Sequence, residues 1–260
     1  MTDLVTLTIH EGLAHIRLNR PDANNAMSWD FIDALSTACE GAARDTSVRA
    51  VLITSEGKNF CVGGDIRSFA SEPDPGSFIE RLARRLHEGV LALAQGDAPL
   101  VVAVHGAAAG AGLSLAASGD IVIAGEGASF SMAYTGIGLT SDGGATWNLP
   151  RVIGMRRTQE MAFLGRRLSA KEAEAYGLVT RIVADDAVEA EGLAIAQSLA
   201  AGPTCAFAGV KRLLAASYAT DLSEQLDAEA KAIGDAMRTP DAQGAVKAFL
   251  LREKPVFTGQ

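Results

Sequence analysis

From Ala98 to Gly119 the chain contains no Asp, Glu, Lys or Arg. An uncharged run of that length crosses a bilayer or lies in a protein core, and a spanning helix needs about 20 nearly continuous apolar residues. Here Pro99, His105 and glycines 106, 110, 112 and 119 interrupt it. The run therefore reads as a buried strand over Leu100–Val104, a tight glycine turn and a short helix, not as a span. Strands and helices alternate over the first two-thirds of the chain and helices dominate the end, so the expectation is an α/β fold with no membrane partner.

The flanking sequence agrees. Leu4–Ile9 and Leu13–Leu18 alternate about Glu11-Gly12 and predict a hairpin. Ser28 is placed to cap a helix running to Arg44. Ala50–Thr54, Ile121–Ala124, Ser129–Ala133 and Val179–Val183 read as strands, and Phe78–Ala94 and Val152–Leu164 as helices. Ser169-Ala-Lys-Glu172 forms a capping box for a short helix ending at Gly177. Helices then follow at about 186–201, 204–217, 222–237 and 241–251, the last opened by Thr239-Pro240. No linker or repeat interrupts the 260 residues, so one domain over 1–260 is expected, with a core to about 195 and a helical portion over about 196–260.

Composition narrows the partners. A net charge of −8, with arginines clustered only as pairs, argues against nucleic acid. Cys39, Cys61 and Cys205 are odd in number and scattered, which suits a reducing cytoplasm. Met1–Thr6 has no basic and apolar succession of a signal peptide.

Three loops stand out. In Lys58-Asn-Phe-Cys-Val-Gly-Gly-Asp-Ile66 the paired glycines let backbone N–H groups approach a ligand, though a plain surface turn reads equally well. After Leu100–Val104, His105-Gly-Ala-Ala-Ala-Gly-Ala-Gly-Leu-Ser114 presents a helix N-terminus suited to a phosphate or an oxyanion. It does not suit NAD, because Leu115 stands at the third glycine position and the helix is too short. Gly112-Leu-Ser114-Leu-Ala116 approaches a nucleophile elbow, with His87 or His105 as base, but a small serine in a packed helix is the simpler reading. In Gly136-Ile-Gly-Leu-Thr-Ser-Asp-Gly-Gly144, Asp142 is either a helix cap or a carboxylate poised at a pocket. His10 and His15 lie on strand-like segments, and no metal-ligand cluster is visible.

Taken together, Phe60–Ile66, His105–Gly112 and Ile137–Gly144 resemble the enoyl-CoA hydratase/isomerase (crotonase) superfamily. Asn19-Arg-Pro21, Gly165–Ala170, Ala175–Val179 and Phe249–Phe257 extend the resemblance over nearly the whole chain. It implies a crotonase-like spiral of ββα units with a helical C-terminal portion that drives assembly into trimers or hexamers. It implies an acyl-CoA substrate, with coenzyme A as part of the substrate and no prosthetic group. The thioester oxygen would be held by the backbone N–H groups of Gly64 and Ala111. CoA would lie near Ala23 and Asn24, along Cys61, Gly63, Asp65 and Ile66 beside Gly110, and against Lys254 and Phe257 of the tail. Tyr134 and Leu139, with Phe69, Arg81 and Arg84, would shape the acyl pocket.

The resemblance also directs the chemistry. Hydratases of this family carry two glutamates. Their positions match Ser114 and a site near Tyr134, so neither is a carboxylate. Asp142 matches the aspartate of the ring-opening epoxyphenylacetyl-CoA isomerases and related double-bond isomerases, with Ser141 where their proline stands. One base suffices to move a proton from the alpha to the gamma carbon, whereas hydration needs a second group for water. An acyl-CoA isomerase using Asp142 is expected. The alternatives are an enoyl-CoA hydratase, a 4-chlorobenzoyl-CoA dehalogenase-like hydrolase with Asp142 as nucleophile and His87 activating water, and a serine hydrolase using Ser114.

Overall fold

The computed structural model describes residues 3–260. Met1 and Thr2, where the expected domain and the segment read for a signal peptide begin, lie outside them. β1 (Val5–His10) and β2 (Leu13–Leu18) form the predicted hairpin, with Val5 opposite Leu18. Glu11 and Gly12 both take positive φ, 49° and 80°, as a two-residue turn between twisted strands requires. α1 (Trp29–Arg44) starts where the Ser28 hydroxyl accepts the Phe31 N–H. β3 (Ala50–Ser55) follows, then a long loop, α2 (Ile66–Ala70) and α3 (Pro75–Gln95).

The uncharged run folds as the expected strand, turn and helix: β4 (Leu100–Val104), a three-residue β5 (Ala107–Ala109) and α4 (Ala111–Ala116). Next come β6 (Ile121–Gly125), β7 (Ser129–Ser131), α5 (Ala145–Val152), α6 (Met155–Leu164), β8 (Arg167–Ser169), α7 (Ala170–Tyr176) and β9 (Arg181–Val183). α8 (Val188–Ala200), α9 (Thr204–Ala216), α10 (Leu222–Met237) and α11 (Pro240–Leu251) complete the chain.

The strands make two sheets. One has the order β1-β2-β3-β4-β6-β9 and is parallel beyond its first hairpin; the other has the order β5-β7-β8. The units β4-β5-α4 and β6-β7-α5 each send their first strand to the large sheet and their second to the small one. Earlier turns of the chain repeat the path with single parallel bridges, Met27 to Gly64 and Cys61 to Ala108. This is a spiral of ββα units with a helical C-terminal portion.

Side-chain alternation divides the large sheet's faces. Val51, Ile53, Val102 and Val104 enter the main core, which α1 and α3 share. Leu13, Ala50, Leu52, Val101 and Ala103 face the other way, against Val188, Ala196 and Ala200 of α8. Burial on both faces is why β3 and β4 are unbroken apolar runs.

Some expectations change. The helix expected over Val152–Leu164 is two helices, because Gly154 at φ 85° breaks it. β7 stops at Ser131, short of the expected Ala133, and Ala133 takes φ 54°. β5 and β8 were not anticipated; three residues are too few to show a period. The Ser169 capping box and the Thr239 cap are present.

α10 buries no residue, and Leu214, Leu222, Ile233, Phe249 and Leu250 are each at least 65% exposed. Among the described residues, no single helix is long and apolar enough to cross a membrane.

Candidate active site

The first two loops are stitched together by backbone. Cys61 N–H donates to Ala107 O at 3.1 Å, and Ala109 N–H donates to Cys61 O at 2.9 Å. Gly112 permits this approach: a Cβ there would stand 2.1 Å from Cys61 O. Behind them sits Asn25, fully buried, which sequence reasoning did not single out. Its Nδ2 reaches Glu56 O at 2.9 Å, Asn59 O at 3.0 Å and Phe60 O at 3.1 Å, while its Oδ1 accepts from Arg20 N–H. Its φ of 55°, a conformation Asn tolerates better than most residues, is the one local signal that could have marked it.

The backbone N–H groups of Gly64 and Ala111 have no hydrogen-bond partner among the described residues. Ala111 is the first residue of α4, where a helix leaves its N–H free. Both residues line a pocket of about 270 Å³. Met27, Ile32, Leu82 and Leu86 give it an apolar wall, and Gly63, Ile66, Gly110, Tyr134, Leu139 and Asp142 line it as well. With Phe69, the structure thus brings together nine residues singled out in the sequence.

Asp142 is not a helix cap. Gly144 holds that position on α5, and the Asp142 backbone carbonyl, not its carboxylate, accepts the Ala145 N–H. The carboxylate is left for other work. Its Oδ1 accepts the Tyr134 hydroxyl at 2.6 Å, and its Oδ2 has no partner among the described residues. Ser114 Oγ lies 2.9 Å from the Tyr134 oxygen and 2.9 Å from the Asp142 carbonyl. Burial, then the neighbouring Asp142 charge, pushes the Tyr134 hydroxyl well above its ordinary pKa, so it stays protonated and donates. Gly143, at φ 60°, lets Asp142 close on α4: a Cβ there would meet Ser114 Cβ at 2.8 Å.

Neither histidine serves Ser114. His105 Nε2 is bonded to Gly57 O, and His87 Nε2 accepts the Gly143 N–H at 3.0 Å. Ser114 therefore lacks the base a nucleophilic serine needs. His87 thus spends its Nε2 on the backbone beside Asp142.

The remaining expected contacts fall elsewhere. Cys61 is buried with its thiol donating to Asn25 O, and burial pushes the thiol up to about 12; it joins loops from behind rather than facing the pocket. Asp65 pairs with Arg20 at 2.8 Å, so its carboxylate is committed to structure and Arg20 is not free for a phosphate. Ala23 and Asn24 form a turn beside the pocket, where Val62 N–H donates to Asn24 O. Lys254 and Phe257 line a different cavity with Arg49, and the Phe257 carbonyl accepts from that arginine; within the chain they do not reach Asp142. Of the expected pocket shapers, Phe69 lines the cavity, whereas Arg81 stacks over Phe78 and Arg84 pairs with Glu80. Glu80 is a second carboxylate on the lining that the loops did not reveal, but its side chain is 65% exposed.

An apolar pocket with two free N–H groups and one tethered carboxylate can polarise a carbonyl and move a proton beside it. The Enoyl-CoA hydratase/isomerase family profile matches residues 8–260. A Rhodobacter capsulatus protein, named a probable enoyl-CoA hydratase, is 40% identical over 97% of this chain and 96% of its own. The Escherichia coli 1,2-epoxyphenylacetyl-CoA isomerase is 35% identical over the whole of both chains. Among solved structures, an enoyl-CoA hydratase of Mycobacterium smegmatis superposes with a TM-score of 0.90 at 33% identity, covering 97% of this chain and 98% of that one.

Proposed function

The chain belongs to the enoyl-CoA hydratase/isomerase family, and we propose that within it the protein is an acyl-CoA isomerase with Asp142 as its one acid–base group. The observation that carries this reading is the tethered carboxylate. Asp142 has one oxygen held by Tyr134 and one left free, in a pocket whose other carboxylate is exposed and paired. Ser114, which matches the family's first glutamate position, and Tyr134, near the second, spend their hydroxyls on each other and on Asp142. Among the described residues lining the pocket, the only other carboxylate is Glu80, paired with Arg84. The isomerase relative supports the same reading, and the hydratase relative is the reason hydration belongs in the test.

In the proposed cycle the thioester oxygen lies between the N–H groups of Gly64 and Ala111. Asp142 Oδ2 takes a proton from the alpha carbon. The C–H electron pair moves into the enolate, and the negative charge settles on the thioester oxygen, where each donor is worth about 2.7–4 kcal/mol. The proton then returns at the gamma carbon, so the double bond shifts and no water is consumed. Gly63, Gly110, Ile66 and Leu139 border the acyl-CoA. The exposed apolar faces of α9–α11 support assembly into a trimer or hexamer, because isolated soluble chains rarely leave such faces uncovered.

The test is a panel of aliphatic and aromatic CoA thioesters assayed for double-bond shift, ring opening, hydration and halide release. Isomerisation faster than hydration is expected. Hydration as the faster reaction would replace this reading with the hydratase one.

A further inference from the structure

We propose that Tyr134, backed by Ser114, is a positioning residue that fixes Asp142 so that only Oδ2 carries the proton, at a set place relative to the oxyanion donors. The inference rests on the reading of Asp142 as the base.

The argument begins with counting protons. Tyr134 has one hydroxyl hydrogen, and its shortest contact is Asp142 Oδ1 at 2.6 Å. That bond consumes it. Ser114 likewise has one hydroxyl hydrogen, shared between the Tyr134 oxygen and the Asp142 carbonyl, each 2.9 Å away. A short donor chain results: Ser114 to Tyr134 and the Asp142 backbone, and Tyr134 to the carboxylate. Such chains polarise each member in turn. Oδ1 is occupied, and proton transfer is left to Oδ2.

The second element is placement. Ser114 sits on α4, the helix whose first residue is Ala111. Its Oγ is also 2.9 Å from the Asp142 carbonyl and 3.3 Å from the Gly110 carbonyl. A Cβ on Gly110 would lie 3.9 Å from Tyr134 Cζ, so the phenol rests against the loop that carries the oxyanion donor. The base is thereby tied, through side chain and backbone, to the element that would hold the thioester oxygen. In enolate chemistry that separation decides whether one group can serve two carbons.

The other titratable groups around Asp142 are few. On α3, His87 meets its neighbour Gly143, and Glu80 lines the pocket paired to Arg84. Neither bonds the carboxylate.

The experiment follows alpha-carbon proton exchange in deuterated buffer for wild type, Tyr134→Phe, Ser114→Ala and His87→Gln, using a thioester turned over by the wild type. Tyr134→Phe keeps the ring and removes the donor, so it should lower kcat roughly 10-fold with KM little changed. Ser114→Ala should give the same split by less. His87→Gln should change neither. A Tyr134→Phe enzyme as fast as wild type, or one whose loss lies in KM, would reduce Tyr134 to packing and overturn the inference. So would a larger loss of kcat in His87→Gln than in Tyr134→Phe. A wild type that exchanges no alpha proton with any thioester of the panel would overturn the functional reading itself, and this inference with it.

Discussion

The loops around Asp142 and the helices after residue 204 treat apolar side chains in opposite ways. Around the site, Leu86, Leu113 and Leu115 are almost fully buried, and the glycines there answer to contacts inside the chain. From α9 onward Leu222, Ile233, Phe249 and Leu250 face outward. The first region is closed by its own chain. The second leaves a broad apolar surface open, the face on which the proposed assembly rests. The two also differ in their buried polar anchors. Asn25, a neutral amide, holds the site loops, whereas Asp241, a carboxylate that is 4% exposed, holds the tail by accepting the Thr258 and Gly259 N–H groups at 2.7 Å.

The sharpest way to break this contrast is at the base. Asp142→Asn removes a proton acceptor while keeping shape, so the fold and CoA affinity should persist and alpha-proton exchange should fall roughly 10²–10⁴-fold. Exchange equal to wild type would show that the site's chemistry does not depend on this carboxylate. Next in size is Asn25→Ala, which strands the buried Phe60 carbonyl, the half-buried Glu56 and Asn59 carbonyls and the Arg20 N–H. A loss of about 3 kcal/mol in urea unfolding is expected, with slower turnover as the loops loosen. Unchanged stability would mean that the loops hold themselves.

In the outer region, Phe249→Asp with Leu250→Asp should cost about 2 kcal/mol for each apolar side chain no longer covered. Light scattering should report a monomer for the variant and the proposed trimer or hexamer for the wild type, while the monomer still unfolds cooperatively. Equal mass for both would place the assembly surface elsewhere.

The smallest effect belongs to the tail. Burial disfavours the Asp241 charge, but the bonds from Thr258 and Gly259 outweigh it, so the carboxyl titrates below its ordinary value. A depressed folded pKa adds stability above the unfolded pKa and loses it as pH falls through the folded one. Asp241→Asn should therefore cost about 1 kcal/mol near pH 7, and the gap between variant and wild type should close as pH drops below about 4. A gap independent of pH would show that the carboxylate's charge has no part in holding the tail.

Much was legible along the chain because its cause is local. The hairpin at Glu11-Gly12, the Ser28, Ser169 and Thr239 caps, and the buried β4 each depend on a few neighbouring residues. The order of the three glycine loops was legible for the same reason, and with it the family. β5 and β8 were not, since a three-residue strand exists only because a partner pairs with it. Nor was the path of the tail: Arg49 and Asp241 hold it so that Lys254 and Phe257 line a different cavity of the chain from the one Asp142 lines.

By itself, then, the sequence determined the α/β alternation, the buried central strand, the helix boundaries set by caps, and Asp142 as the carboxylate of the third loop. Tertiary structure alone decided what that carboxylate is. Asp142 could cap α5 or stand free, and the local sequence is satisfied by either. Ser114, Tyr134 and Asp142 are 20 and 8 residues apart along the chain, and their hydroxyl–carboxylate chain exists only after α4 packs against the loop before α5. Hydrogen bonds of that kind depend on distances of a few tenths of an ångström, set by the close approach that Gly143 and Gly112 permit. Periodicity and spacing carry no such information, because they describe which face a residue takes and not what meets it there.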